Sequence, residues 1–417
     1  MDVLTASNEN SALISTINSA EQSQILPFNY ALEKNIPAHG LQIVEHQTVS
    51  GTVSVSKSHD YDINKYGYLR SLTIQMKATG TANTEVNCGS GGLGFIESIE
   101  LLSSGRRLQY MSRDAYLCAL SDLPREARRS IENSARMAAS GAFGVAGQKV
   151  FHIPILMSFF DNVRNTVNAR FNEALRLRIT TTAGTQFRNA GTGAQVACAI
   201  DDMTVLAEYR RLPMPLDDKV VQEDFGDNQP LTKVLYDYSE ETVLAVTHSS
   251  TADSVYKEIE IKDNGAVDAI FLIVKGDILT GNSTDEIARA SDKPLEVAEI
   301  KFTASGQTIM EVPGRYLQFL GKRTLGAGFY GTGSIDDTNE VAGIGYVYKI
   351  QFGLDHDTRY FSNLASMREL NTPTISFKLA ANSTLNGKTG TAKVIVRKAM
   401  LMTTDAGSGK NSVGVSN

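Results

Sequence analysis

The sequence has no tryptophan, the large ring on which sugar-binding platforms are most often built. It has three cysteines, Cys88, Cys118 and Cys198. An odd, widely spaced set is neither a disulfide framework nor a C-x-x-C metal site, and reads as free thiols in a reducing compartment. No apolar run approaches the ~20 residues of a membrane-spanning helix. The longest, "AIFLIV" (Ala269 to Val274) and "IPILMSFF" (Ile153 to Phe160), have the length of buried strands. An excess of positive charge is missing too. The 40 basic and 46 acidic residues leave a net charge of −6, which excludes a general nucleic-acid coat. The opening "MDVLTASNENSALISTINSAEQSQ" lacks the basic start and apolar stretch of an export signal, so folding in a cytoplasm is expected.

Catalytic constellations are absent as well. None of the six histidines forms an H-x-x-x-H or H-E-x-x-H pair. "LDHDTR" brings Asp355, His356 and Asp357 together, but neighbours on an extended chain point to opposite faces and chelate poorly. There is no nucleophile elbow and no phosphate loop. "CGSGGLGF" (Cys88 to Phe95) does contain a literal G-x-G-x-x-G at Gly89, Gly91 and Gly94. A dinucleotide fingerprint needs a buried strand before it and a helix after it. Here the preceding "TGTANTEVN" is polar, and the succeeding "FIESIELLSSGRRLQY" reads as strand, turn, strand. A second literal match falls at Gly326, Gly328 and Gly331, and a chain with 34 glycines produces such matches easily. The glycines therefore read as the supple end of a loop, and no enzyme activity, cofactor or metal is expected.

What is present is β pattern. Hydrophobic residues make up 42% and charged residues 21%, a composition that folds. "VSGTVSVSKS", "YLRSLTIQMKAT", "ALRLRIT", "PTISFKLA" and "AKVIVRKAMLM" alternate apolar with polar residues, as half-buried antiparallel strands do. Turn chemistry separates the strands at Ser104-Gly105, Asp263-Asn264-Gly265, Ser305-Gly306 and Asn386-Gly387. Helices are few. One is expected over Asp122 to Met137, with Asp122 as cap and Pro124 in the first turn. Another is expected over "MSRDAYLCAL" just before it, and a shorter one over Phe361 to Leu370.

The chain also repeats its pattern. "TVSVSKS" at Thr52 resembles "TVLAVTHS" at Thr242, "GYLRSLTIQMKATG" at Gly67 resembles "GAVDAIFLIVKGDI" at Gly265, and "IELLSSGRRLQYM" resembles "IKFTASGQTIMEV". "FHIPILMSFF" parallels "YKIQFGLDHD", and "LRLRI" at Leu175 parallels "ISFKL" at Ile375. The shifts run from 190 to 201 residues in one order, too long for a solenoid repeat and suited to two similar β domains in tandem. The prolines of "EYRRLPMPLDDK" mark the crossing. The expected division is an N-terminal arm over 1–40, a first domain over 41–212, a second over 213–403, and a flexible tail over 404–417.

These segments carry a resemblance. "NKYGYLRSLTIQMKATG", "FIESIELLSSGRRLQYMSRDAYL", "KVFHIPILMSFFDN" followed by "EALRLRIT", and "EYRRLP" resemble the double jelly-roll major capsid proteins of icosahedral DNA viruses. That family includes tectivirus-type phages and large DNA viruses, and the similarity covers about residues 40 to 400. It implies an all-β chain of two tandem eight-stranded jelly rolls with a few short helices in loops. It also implies homotrimeric, pseudo-hexagonal capsomers whose barrels stand perpendicular to an icosahedral virion shell assembled in the host cytoplasm. Partners would be further copies, with penton, minor capsid or membrane proteins and an internal membrane met through the N-terminal arm. No sequence-specific nucleic-acid binding is implied. The alternative is a carbohydrate- or receptor-binding β-sandwich of the phage-spike or lectin kind. Candidate assembly contacts are Leu13, Ile14 and Ile17, at helical spacing in the arm, and the basic cluster Arg106, Arg107, Arg125, Arg128 and Arg129, whose guanidinium forks suit subunit contacts.

Overall fold

The computed structural model describes residues 41–48, 53–80, 86–87, 90–123, 125–135, 137, 142–143, 149–161, 167–170, 172–182, 188–189, 198–211, 231–276, 294–317, 346–352, 364–383, 385–405 and 409–415. Eight strands build a first barrel: β1 (Leu41–Thr48), β2 (Ser58–Ile63), β3 (Tyr68–Gly80), β4 (Ile96–Ser103), β5 (Arg106–Ser112), β6 (Lys149–Pro154), β7 (Leu175–Thr181) and β8 (Cys198–Arg211). They pair antiparallel in two sheets, ordered β1-β8-β3-β6 and β2-β7-β4-β5. The second barrel repeats this. Its strands are β9 (Leu231–Glu240), β10 (Lys257–Glu260), β11 (Ala266–Gly276), β12 (Val297–Ala304), β13 (Gln307–Pro313), β14 (Val347–Gln351), β15 (Thr374–Leu379) and β16 (Thr389–Thr404). Its sheets are ordered β9-β16-β11-β14 and β10-β15-β12-β13. Adding eight to each strand number of the first barrel yields the order in the second.

The duplication read from the sequence is therefore topological. Its matches join β3 to β11, β4-β5 to β12-β13, β6 to β14 and β7 to β15. In the fifth, Val53 bridges to Ile200 on β8, while Leu244–Thr247 pairs with β16. The β4-β5 and β12-β13 hairpins even turn alike: Ser104 and Gly105 have φ of 45° and 82°, Ser305 and Gly306 of 52° and 74°. Two consecutive left-handed residues make the turn whose twist matches the strands it joins.

Helices occupy the first barrel's loops. α1 (Arg113–Ser121) is capped by Ser112, whose Oγ accepts from the Ala115 N–H at 3.1 Å. α2 (Arg125–Ser134) and the single turn α3 (Ser158–Asp161) come after it. Several expectations are corrected. "IPILMSFF" is not one strand, because β6 ends at Pro154 and α3 begins at Ser158. Of "VSGTVSVSKS", Val53 makes only an isolated bridge, and Ser56 at φ 55° turns the chain before β2. Ala365–Ser366, expected in a helix, pairs with β11. The tail is not wholly flexible, since β17 (Asn411–Val415) folds back along β16. There Asn411, 2% exposed, accepts from Thr404 Oγ1 at 2.7 Å and donates to Ser103 Oγ at 3.0 Å. The glycine cluster is not supple either. Gly91–Phe95 is a buried 3-10 turn leading into β4, and a Cβ on Gly92 would lie 2.7 Å from the Phe151 side chain. Close packing, not mobility, accounts for that glycine.

Candidate assembly interface

Strand β11 explains the apolar run noticed in the sequence. Ile270, Leu272 and Val274 point into the second barrel, while Ala269, Phe271 and Ile273 join the apolar cluster of the first. A strand in an antiparallel sheet normally alternates because one face meets water. Here both faces are dry, since the outer face of β9-β16-β11-β14 is a seam packed against α1, α3 and β5. Leu235, Val347, Ile395, Met400 and Met402 complete the seam's apolar side.

Charge fixes the register of that seam. α1 carries an acid at each end. Asp114, 6% exposed, accepts from Lys275 Nζ on β11 at 2.5 Å and Lys393 Nζ on β16 at 2.8 Å. Asp122, at the other end, accepts from Lys349 Nζ at 2.8 Å and from Arg397. Arg397 also donates through Nε to Asp268 at 2.8 Å, and Gln351 Nε2 reaches the same carboxylate at 2.8 Å. Asp268 sits at a β-bulge between Val267 and Ala269, which sets it on the seam side. The Arg397 guanidinium lies 5.1 Å from the Tyr236 ring and 5.7 Å from that of Phe271. Burial pulls the Lys349 ammonium down to about 7, with Arg397 adding to the depression and Asp122 opposing it. Neutral polar groups join in. Ser158 Oγ accepts from the Tyr236 N–H at 3.1 Å, and Gln109 Nε2 donates to Tyr236 O at 2.5 Å.

Asp114 yields a pH prediction. Burial alone would raise its carboxyl, but the Lys275 and Lys393 charges hold it well below the usual range. A depressed carboxylate contributes stability that is complete above its unfolded value, about 4, and is lost as pH falls toward the folded value. Asp114→Asn should cost about 3 kcal/mol at pH 7, since it leaves the buried Lys275 and the half-buried Lys393 short of their shared counter-charge. Its deficit should shrink between pH 5 and pH 2, as read by urea melts at several pH values. A deficit constant with pH would refute the assignment.

The residues expected from the sequence lie elsewhere. Arg106 and Arg107 are exposed on β5, with Arg107 3.9 Å from Glu100 and over the Tyr110 ring at 5.3 Å. Arg125, Arg128 and Arg129 lie on α2, where Arg128 pairs with Glu132 at 3.5 Å. Leu13, Ile14 and Ile17 lie outside the described residues, as do Cys88, the Asp355-His356-Asp357 triplet and the 212/213 crossing. Cys118 and Cys198 are free, buried thiols. Among the described residues no group of three or more His, Cys, Asp or Glu is placed to hold a metal, and no helix is long and apolar enough to cross a membrane. Sequence reasoning missed the acids at the two ends of α1. Their only signal was eight-residue spacing on one short helix.

In the seam one face of the first barrel packs on one face of the second. The first barrel's packing face (β5 and α1) and the second's receiving face are joined in the seam. Among the described residues their counterparts are partly exposed. On β13, Ile309 is 57% exposed where its counterpart Leu108 on β5 is 3% exposed. Residues 314–317 beyond it are helical, with Tyr316 exposed. On the first barrel's outer β1-β8-β3-β6 face, Thr73, Gln75 and Lys77 stand where β11 has Phe271, Ile273 and Lys275, and Val44 is 52% exposed.

No family model and no curated protein sequence matches the chain. Solved structures do. VP54 of PBCV-1, fitted into a reconstruction of the virophage Sputnik, superposes with a TM-score of 0.69 at 14% identity, covering 91% of this chain and 98% of VP54. The Faustovirus major capsid protein gives 0.62 at 10% identity over 95% and 98% of the two chains. The mavirus major capsid protein gives 0.53 at 10% over 89% and 90%. Two barrels of one topology, matched over nearly the whole length of such proteins, leave one description: the chain has the double jelly-roll fold.

Proposed function

We propose that this protein is the major capsid protein of an icosahedral virus, a structural protein rather than an enzyme. One observation carries the reading: the chain joins one packing face to one receiving face internally, and among the described residues the equivalent pair is partly exposed. A surface and its complement on one chain form a heterologous contact, and such contacts give rings when the rotation closes. Three chains then contribute six barrels in a pseudo-hexagonal capsomer, with β13 and residues 314–317 of one copy on the β1-β8-β3-β6 face of the next. The mixed polarity of the open face, against the apolar seam, suits a contact made after the monomer folds. The likeness to the Faustovirus and mavirus capsid proteins supports the reading. The domains would run from 41 to 212 and from 213 to 403. Leu13, Ile14 and Ile17 of the arm, with Arg106, Arg107, Arg125, Arg128 and Arg129, would meet neighbouring capsomers, pentons, minor proteins or a membrane in a shell assembled in the host cytoplasm.

Sedimentation tests the ring. The purified protein is expected at three times its 45.2 kDa mass. Val44→Asp combined with Ile309→Asp should weaken association at least tenfold with the circular dichroism unchanged. A wild-type protein that stays monomeric at high concentration would overturn the proposal.

A further inference from the structure

The outer face of the β2-β7-β4-β5 sheet is charged in an ordered way: Asp60, Asp62, Arg176 and Arg107 are exposed and Arg178 and Glu100 half-buried, while Ser98, Leu102 and Ser112 beside them are buried. Asp60 and Asp62 stand on β2, Arg176 and Arg178 on β7, Glu100 on β4 and Arg107 on β5. Read across the sheet, the strands alternate in sign: acid, base, acid, base. Cross-strand bonds hold the columns in place. Arg178 donates to both oxygens of Asp60 at 2.7 and 3.0 Å, Arg176 Nε donates to Asp62 at 2.7 Å, and Arg107 lies 3.9 Å from Glu100. The corresponding face of the second barrel lacks this order. Its β12 carries both Glu299 and Lys301, and the Tyr256 ring lies across the sheet 4.2 Å from Lys378 Nζ.

Neighbouring strands lie about 4.8 Å apart, so the sign reverses within less than a Debye length of about 8 Å. The field of such a surface cancels a short distance above it. It therefore attracts neither a polyanion nor a polycation, and is recognised only at contact by a surface with stripes of the same spacing. A four-stripe pattern has a further property. Turned by a two-fold axis parallel to the strands, acid-base-acid-base meets base-acid-base-acid; turned about an axis across the strands, like meets like. The first operation keeps the same end of the barrel upward in both copies, as upright barrels in one shell require.

We propose that this face is a contact between neighbouring capsomers, made by the same face of a second copy across a two-fold parallel to the strands. The inference rests on the capsid reading above and adds the surface and symmetry of the contact between rings. Two variants test it. Arg176→Asp with Arg178→Asp breaks the alternation. Exchanging all six signs (Asp60→Arg, Asp62→Arg, Glu100→Arg, Arg176→Asp, Arg178→Asp, Arg107→Glu) keeps every pair within the sheet and inverts the stripes. Native mass spectrometry reads the ring, while light scattering and negative-stain images read the lattice. The first variant should form rings and lose lattice at least tenfold. The second should assemble with itself and segregate from differently labelled wild-type rings. Free co-assembly of inverted and wild-type rings, an inverted variant as defective as the first, or normal lattice from the first variant would overturn the contact and leave the ring standing. Absence of a wild-type ring would overturn both.

Discussion

Phe271→Ala is expected to destabilise the chain by about 3–5 kcal/mol and to split its melting into two transitions. Phe271 is fully buried, but on the seam side of β11 rather than inside the second barrel. Its ring lies 6.3 Å from that of Tyr238 and 5.6 Å from Lys349 Nζ. Removing it empties the apolar seam and withdraws the π face from two buried cations, while each barrel keeps its own core. Leu272→Ala, one residue along on the opposite face, is the control. It should cost a comparable amount within one transition, because it hollows the second barrel. Differential calorimetry reads both results. A single transition for Phe271→Ala with a loss under about 1 kcal/mol would mean that the barrels are joined elsewhere.

Arg397→Met should cost about 3–5 kcal/mol, since removing one member of a buried ion group leaves its partners uncompensated. Asp268, 2% exposed, would keep Gln351, and Asp122 would keep Lys349, each without the guanidinium. An unpaired buried carboxylate titrates above its unfolded value. Its penalty is therefore small below about pH 4 and grows as pH rises through the interval to the folded value. The deficit of Arg397→Met should be larger at pH 8 than at pH 4, opposite in trend to that of Asp114→Asn. Adding Asp268→Leu should recover most of the loss, because an apolar replacement of similar volume substitutes well for a buried pair. Denaturant melts of the two single variants and the double variant decide this. A double variant as unstable as Arg397→Met alone would refute the pairing.

The duplicated barrels were legible because alternation, turn residues and spacing are local. β3, β7, β15 and β16 each declare themselves within a dozen residues, and Gly105 and Gly306 mark equivalent turns. The seam was not legible. Asp122 read as the cap of the next helix, yet its carboxylate faces Lys349 and Arg397, 227 and 275 residues away in sequence. β17 looked like loop because a strand of Asn411, Ser412 and two valines around a glycine carries little apolar pattern; the unpaired edge of β16 beyond β11 selects it. The run "AIFLIV" held the one clue to the seam. A strand without alternation has no wet side, and the run therefore implied a second packing surface outside the barrel it belongs to.

The two lysines that hold Asp114 lie 161 and 279 residues downstream of it. At ribosomal rates of about 5–20 residues per second, the more distant one is made about 14–56 s later. Once β8 is made, and until that lysine is, the first barrel presents α1, its two acids and the edge of β5 while the second barrel's complementary face is incomplete. On a crowded messenger the nearest complete face of that kind belongs to a chain further ahead. The same complementarity that aligns the two barrels in a finished molecule thus offers neighbouring ribosomes a wrong partner, and a helper protein that shields α1 during translation would raise yield without touching the final shell.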